Sequence, residues 1–188
     1  MNYPVYPDTG FQRFLETEIA PPAFCAWAGV RTLEQAWAEC ERADWMLWLA
    51  SRAGVVEQRK VIQAACAGVR TAISSTTDPR AVDCLYVVER WVQGEASEAE
   101  VRQARKNAYA AYETSDVAVA ACQLAMREPV RAVEAAAGIA GGFTDQDRET
   151  QKARLKQMAD LVRKVIPEIT VRGRNGAALD WIYLGKGG

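Results

Sequence analysis

The sequence predicts an all-α fold: a compact, alanine-rich bundle of seven to eight helices carrying a short C-terminal β-appendage. Three observations predict it. Apolar residues recur at helical spacing from Ala23 almost to Pro167. Start and stop signals punctuate that pattern. Block-like β-formers appear only after Pro167. At 188 residues, 49% hydrophobic and 25% charged, the chain is ordinary for a soluble globular protein. It is long enough to bury about 70% of its unfolded surface in one core.

The expected organisation is an N-terminal arm (1–22), a helical domain (23–167) and a C-terminal extension (168–188). In the arm, Pro4 and Pro7 favour extended backbone, and Phe11, Phe14 and Leu15 have the spacing of one docked helical turn. Pro21-Pro22 break the chain before the main body. Thr32 is placed to N-cap a helix with Leu33, Ala36, Trp37 and Cys40 on one face. Asp44 reads as the N-cap of the next helix, Trp45 to Leu49, which Gly54 closes. Val61, Ile62, Ala65, Cys66, Val69 and Ile73 form the next buried stripe. Asp78 caps a helix with Pro79 at its first position, facing inward with Ala81, Cys84, Leu85, Val88, Trp91 and Val92 and stopping at Gly94. Ser97 and Glu100 form a capping box ahead of Val101, Ala104 and Ala108. Ala118, Ala121, Cys122 and Ala125 continue the theme. Pro129 restarts a helix through Val130, Val133 and Ala137, with Gly141-Gly142 as its expected end. Thr144 with Asp147 opens the last helix, striped by Leu155, Met158, Ala159, Val162, Val165 and Ile166. Ile169 to Val171 and Trp181 to Leu184 read as two strands around the turn Arg174-Asn175-Gly176. Small side chains on these faces let helix axes approach closely, and the tryptophans fill the remaining space.

Composition narrows the chemistry. The sequence has no histidine, which removes Ser-His-Asp and Cys-His nucleophile pairs and His-ligated metal sites. No phosphate-binding glycine loop occurs. Five cysteines with no CxxC pair suit buried free thiols in a reducing compartment. The opening Met1 to Asp8 lacks a basic and an apolar region, so no secretory leader is expected, and no stretch is long and apolar enough to span a bilayer. A cytoplasmic protein is expected, in the host cytoplasm if the chain is viral, with no cofactor, no metal and no enzymatic activity. Trp37, Trp45, Trp48 and Trp91 could make an aromatic platform, with core packing the expected role. Glu89 is expected to pair with Arg70 or Arg80.

From Leu33-Glu34-Gln35-Ala36-Trp37 through Asp44-Trp45-Met46-Leu47-Trp48-Leu49 the chain resembles the immunity protein family with the immunity-five-like domain, found near bacterial polymorphic toxins and in phage and actinobacterial genomes. Val61 to Ala67, Pro79 to Val82, Glu89 to Ser97 and the basic helix Lys152 to Ile166 agree in order, so that the resemblance spans about Cys25 to Pro167. Tyr86 departs from it, standing where an acidic residue is expected, and Glu168 to Gly188 lie outside it. The resemblance implies a non-catalytic inhibitor that occludes a target protein. That target would be a toxin nuclease or, if the chain is phage-borne, a host defence complex of the kind anti-CRISPR proteins block.

Charge is unevenly distributed although the net charge is −1. Residues 1–57 and 78–100 each carry −4, whereas 152–174 carry +5. An acidic docking face is therefore expected around Glu39, Glu41 and Glu57. The Trp181-Ile182-Tyr183-Leu184 block is expected to fold onto the body; alternatively Trp181 and Tyr183 would supply a tail contact to the partner, or pair with a second copy in a homodimer. The alternative is a nucleic-acid-associated helical protein using Lys152, Arg154, Lys156, Arg163 and Lys164, with Arg172 and Arg174. The bland alternative is two ordinary solvated helix faces.

Overall fold

A computed structural model describes residues 10–74, 77–113, 115–138 and 145–171. Within these residues the architecture is all-α. The helices are α1 (Gly10–Thr17), α2 (Pro22–Ala28), α3 (Leu33–Glu39), α4 (Ala43–Arg52), α5 (Gln58–Arg70), α6 (Pro79–Gln93), α7 (Glu98–Tyr109), α8 (Asp116–Ala125), α9 (Pro129–Ala137) and α10 (Asp145–Val165).

Local sequence sets most boundaries as expected. Thr32 and Gln35 close a reciprocal capping box on α3, and Ser97 and Glu100 do the same on α7. The Asp78 carboxylate accepts from the Arg80 backbone N–H, with Pro79 at the first helical position of α6. Gly94 ends α6 in the left-handed conformation that glycine adopts without strain. Ser115 accepts from the backbone N–H of Ala118 and opens α8.

The body packs around α5, which touches α4, α6, α8, α9 and α10. Its Val61, Ile62, Ala64, Ala65, Cys66 and Val69 are buried. Gly68 is there for space. A Cβ at that position would lie 3.4 Å from Met158 and 3.4 Å from Val133, so α9 and α10 seat closely on this turn. The alanine faces perform as expected: Ala120, Ala132, Ala136 and Ala137 are enclosed where α8 and α9 pack closely along each other, while Ala118 clusters with Ala81 and Ala111, and Ala121 with Cys84 and Ala108, on the α6–α7 side. On α10 the stripe Leu155, Met158, Ala159, Val162 and Ile166 is buried.

The count is ten helices among the described residues, against seven to eight expected, and the additions are α1 and α2. Phe11, Phe14 and Leu15 do dock, but on a two-turn helix, and Pro21-Pro22 start α2 rather than merely break the chain. Proline is favoured at a helix's first position because the N–H it lacks has no partner there. Asp44 is not the N-cap of α4. Arg42 holds that position and Asp44 lies inside the first turn, where its buried carboxylate accepts two bonds from the Arg42 guanidinium at 2.6 and 2.8 Å. α9 stops at left-handed Gly138, ahead of Gly141-Gly142. Those two glycines and Thr144 lie outside the described residues.

After α10 the chain is non-helical. Ile169 and Val171 are buried with exposed Thr170 between them, an alternation that fits extended backbone, but no strand occurs among the described residues. The expected turn at Arg174-Asn175-Gly176 and the second strand, with Trp181 and Tyr183, lie outside the described residues.

Candidate protein-binding surface

The segments that the sequence separates by charge meet in three dimensions. Lys156 of α10 forms an ion pair with Glu41, and this bond holds the Glu41 carboxyl below its usual range. Glu39 accepts from the Arg31 guanidinium at 2.8 Å. Arg163 is turned inward. It donates to the Trp37 carbonyl at 3.2 Å and the Cys40 carbonyl at 2.7 Å, satisfying backbone acceptors that the end of α3 leaves open, and it pairs with Asp160 at 2.6 Å. The Trp37 indole N–H returns the link by donating to the Ile166 carbonyl at 3.1 Å. Of the other expected site residues, Glu57 is exposed at the N-cap position of α5 and makes no capping bond. Lys152 and Lys164 are exposed, and Arg154 reaches the Ala137 carbonyl at 3.5 Å. The structure thus brings Glu39 and Glu41 to one end with Lys156 and Arg163, and leaves Glu57 apart from those pairs.

That end carries a feature that no single stretch of the sequence displays. Phe24 is buried at the centre of a ring cluster. Phe11 meets it edge-on at 6.5 Å, Trp45 stacks at 5.3 Å, Trp27 stacks at 6.2 Å and Trp48 meets it edge-on at 5.9 Å. Trp27, Trp45 and Trp48 are only half-buried. Two guanidinium groups lie over their faces, Arg31 at 4.6 Å from Trp27 and Arg42 at 4.7 Å from Trp45. The result is a continuous run, Glu39–Arg31–Trp27–Trp45–Arg42–Asp44, in which each cation is shared between a ring and a carboxylate. Val30, beside Arg31, is exposed. Trp27 and Arg31 stand four residues apart, and that spacing was the available signal.

A second feature belongs to the α1–α2 turn. Ala20 N–H donates to the Leu15 carbonyl and Ile19 N–H to the Glu16 carbonyl, the paired bonds of a Schellman helix end. The residue at its turning point is Ile19, at φ +56°. A β-branched side chain is strained there, and Ile19 is also 86% exposed. α8 ends in the same pair of bonds with Arg127 at φ +66°. There the side chain has partners: its guanidinium lies 3.7 Å from the Trp91 ring centroid, pairs with Glu98 at 2.8 Å and donates to the Ala125 carbonyl at 2.8 Å. The Ile19 side chain has no comparable compensation among the described residues.

A groove of about 710 Å³ lies where α5, α6, α8, α9 and α10 meet, with Thr71, Thr77, Asp78, Asp116 and Arg154 among its lining residues. Asp78 is held at about 2 by the Arg80 guanidinium and backbone N–H. Acid–base catalysis near neutrality calls for a carboxyl raised toward the working pH, so Asp78 is poorly suited to it. Burial raises the Glu134 carboxyl, with Asp44 adding repulsion and Arg42 and Arg131 offsetting part of it. Among the described residues no group of three or more Cys, Asp or Glu side chains could hold a metal ion, and no helix is long and apolar enough to cross a membrane. No family model matches the chain, and no curated protein or solved structure is significantly similar to it.

Proposed function

We propose that this chain is a non-catalytic inhibitory binding protein that occludes a target protein, a toxin nuclease or, in a phage setting, a host defence complex. Its docking surface is the α1–α4 end. Ile19 carries this reading. A residue that is both strained and bare of intramolecular contacts costs the free monomer stability, and a complex that buries it recovers that cost. Elsewhere on the same α1–α4 segment, the half-buried tryptophans capped by arginines also support protein binding, since Trp and Arg dominate the energetics of protein interfaces. Glu39 and Glu41 sit at its margin as members of ion pairs, where they tune association rate more than affinity. Trp181 and Tyr183 remain the proposed tail contact.

The test uses the product of a neighbouring gene as the target, with affinity measured calorimetrically and inhibition assayed on that target's own activity. Ile19→Asp is expected to weaken binding at least tenfold while the circular dichroism spectrum and melting temperature hold. Asp83→Lys, exposed on α6 and away from α1–α4, serves as the control. Equal binding and inhibition by Ile19→Asp and the unsubstituted chain would overturn the assignment of this surface.

A further inference from the structure

Most arginines of this protein are taken up internally. Arg31, Arg42, Arg52, Arg70, Arg80, Arg90, Arg127 and Arg163 each have a carboxylate partner, and Arg59 lies 4.9 Å from the Trp91 ring centroid. α7 breaks the pattern. Its Arg102, Arg105, Lys106 and Tyr109 follow i, i+3, i+4 and i+7 spacing and so share one face. These four residues line a groove of about 390 Å³. Among the described residues no carboxylate lies within 4.0 Å of the three cations. The acids of the same helix are already engaged, Glu98 by Arg127 and Glu100 by Arg90.

Tyr109 completes the face. It is 62% exposed, and its ring centroid lies 5.2 Å from that of Tyr112. Tyr112 is fixed in turn, because its hydroxyl oxygen accepts from Nε2 of buried Gln123 at 3.4 Å. Tyr109 is therefore an exposed ring propped from behind by an anchored one. The helix dipole accounts for a cation in the last turn. It gives no reason for a tyrosine turned to water, and Arg102, further up the helix, has only the longer-range attraction of Glu98 one turn earlier.

We propose that this face of α7 binds single-stranded nucleic acid, with Arg102, Arg105 and Lys106 on successive phosphates and Tyr109 stacked on a base. Cations flanking an exposed ring are the two parts of a sequence-tolerant single-strand site. The span from Arg102 to Tyr109 is about 10 Å at the helical rise, and the long side chains of Arg102, Arg105 and Lys106 extend that reach along a short run of nucleotides. An acidic peptide would satisfy the cations and leave the ring without a flat partner. The site uses no residue of the α1–α4 end, so it stands or falls independently of the target-binding surface.

Fluorescence anisotropy with a labelled twelve-residue oligothymidylate, titrated between 20 and 200 mM salt, tests the proposal on the full chain. Binding at low salt is expected, with log affinity falling against log salt at a slope of about −2, the value for three single-strand phosphates. Combined Arg102→Gln, Arg105→Gln and Lys106→Gln should abolish it. Tyr109→Leu should weaken it by about tenfold, within the range of one lost base stack. Lys152→Gln with Lys164→Gln on α10 should leave it unchanged. These are exposed positions, and matching thermal melts establish that each variant is folded. The proposal is overturned by no binding at 20 mM salt, by wild-type binding in the triple variant, by an unaffected Tyr109→Leu, or by displacement with polyglutamate as effective as with unlabelled oligonucleotide.

Discussion

Two helix ends with the same hydrogen-bond pattern should respond oppositely to the same substitution. Ile19 and Arg127 both occupy the left-handed turning point, at φ +56° and +66°. Replacing either by glycine removes a left-handed strain of about 1–2 kcal/mol. Each change also frees the unfolded chain, which costs about 0.5–1 kcal/mol. At Ile19 little else changes, because the side chain is 86% exposed and has almost no burial to lose. Ile19→Gly should therefore stabilise by about 0.5–1 kcal/mol, or about 1–4 °C in melting temperature for a chain of this size. At Arg127 the same change removes the cation over Trp91, which for a side chain only 16% exposed contributes about 1–2 kcal/mol. It also removes the pair with Glu98, which is 58% exposed and so adds at most about 1 kcal/mol. The net expectation for Arg127→Gly is a loss of about 1–2 kcal/mol. Urea unfolding followed by circular dichroism, with a shared slope, measures both. Destabilisation by Ile19→Gly comparable to that of Arg127→Gly would mean that the isoleucine is packed in solution, and would remove the basis for the target-binding surface.

Two further outcomes follow from titration. Burial raises the Glu134 carboxyl above its ordinary value, so its charged form costs stability above that raised value, and the cost vanishes once pH falls below the unfolded value near 4.5. Glu134→Gln should accordingly raise the melting temperature at pH 7 and change it little at pH 4, as scanning calorimetry at the two pH values would measure. Burial pushes the Cys40 thiol up to about 11 and the Cys84 thiol up to about 12, and raises Cys66 and Cys122 as well. In the native protein at pH 8 a thiol reagent should modify only half-buried Cys25 on a time scale of minutes and reach the other four on unfolding. Rapid modification of two or more thiols in the folded protein would contradict this packing.

The fold was legible where a residue type has a local mechanism. Thr32, Asp78, Ser97 and Gly94 each satisfy or terminate a helix through their own side chain or backbone, and such roles are readable within four residues. It was not legible where tertiary partners decide. Asp44 has the chemistry of an N-cap, but Arg42 two residues earlier draws its carboxylate into a bidentate pair and the helix starts earlier. The arm looked marginal because Phe11, Phe14 and Leu15 span barely one turn. Its helix persists because Phe24 and Leu15 are enclosed by the same core as the body, and packing supplies what a short helix lacks on its own.

Charge along the chain and charge left after pairing differ at the candidate sites for a single geometric reason. The −4 and +5 segments look like opposed docking faces along the chain, yet Glu41 meets Lys156 and the α3 carbonyls take up Arg163, so part of each charge is spent inside the fold. Residues 98–109 hold two acids and three bases and look neutral. The helix sorts them, placing Glu98 and Glu100 in the first turn against Arg127 and Arg90, and leaving Arg102, Arg105 and Lys106 with no carboxylate within ion-pair distance among the described residues. What a linear window reports is the sum before pairing, whereas a ligand meets the remainder after it. The same holds for Ile19, where no window registers a single exposed isoleucine. Its information lies in a backbone angle and in the partners that Arg127 has at the equivalent turn.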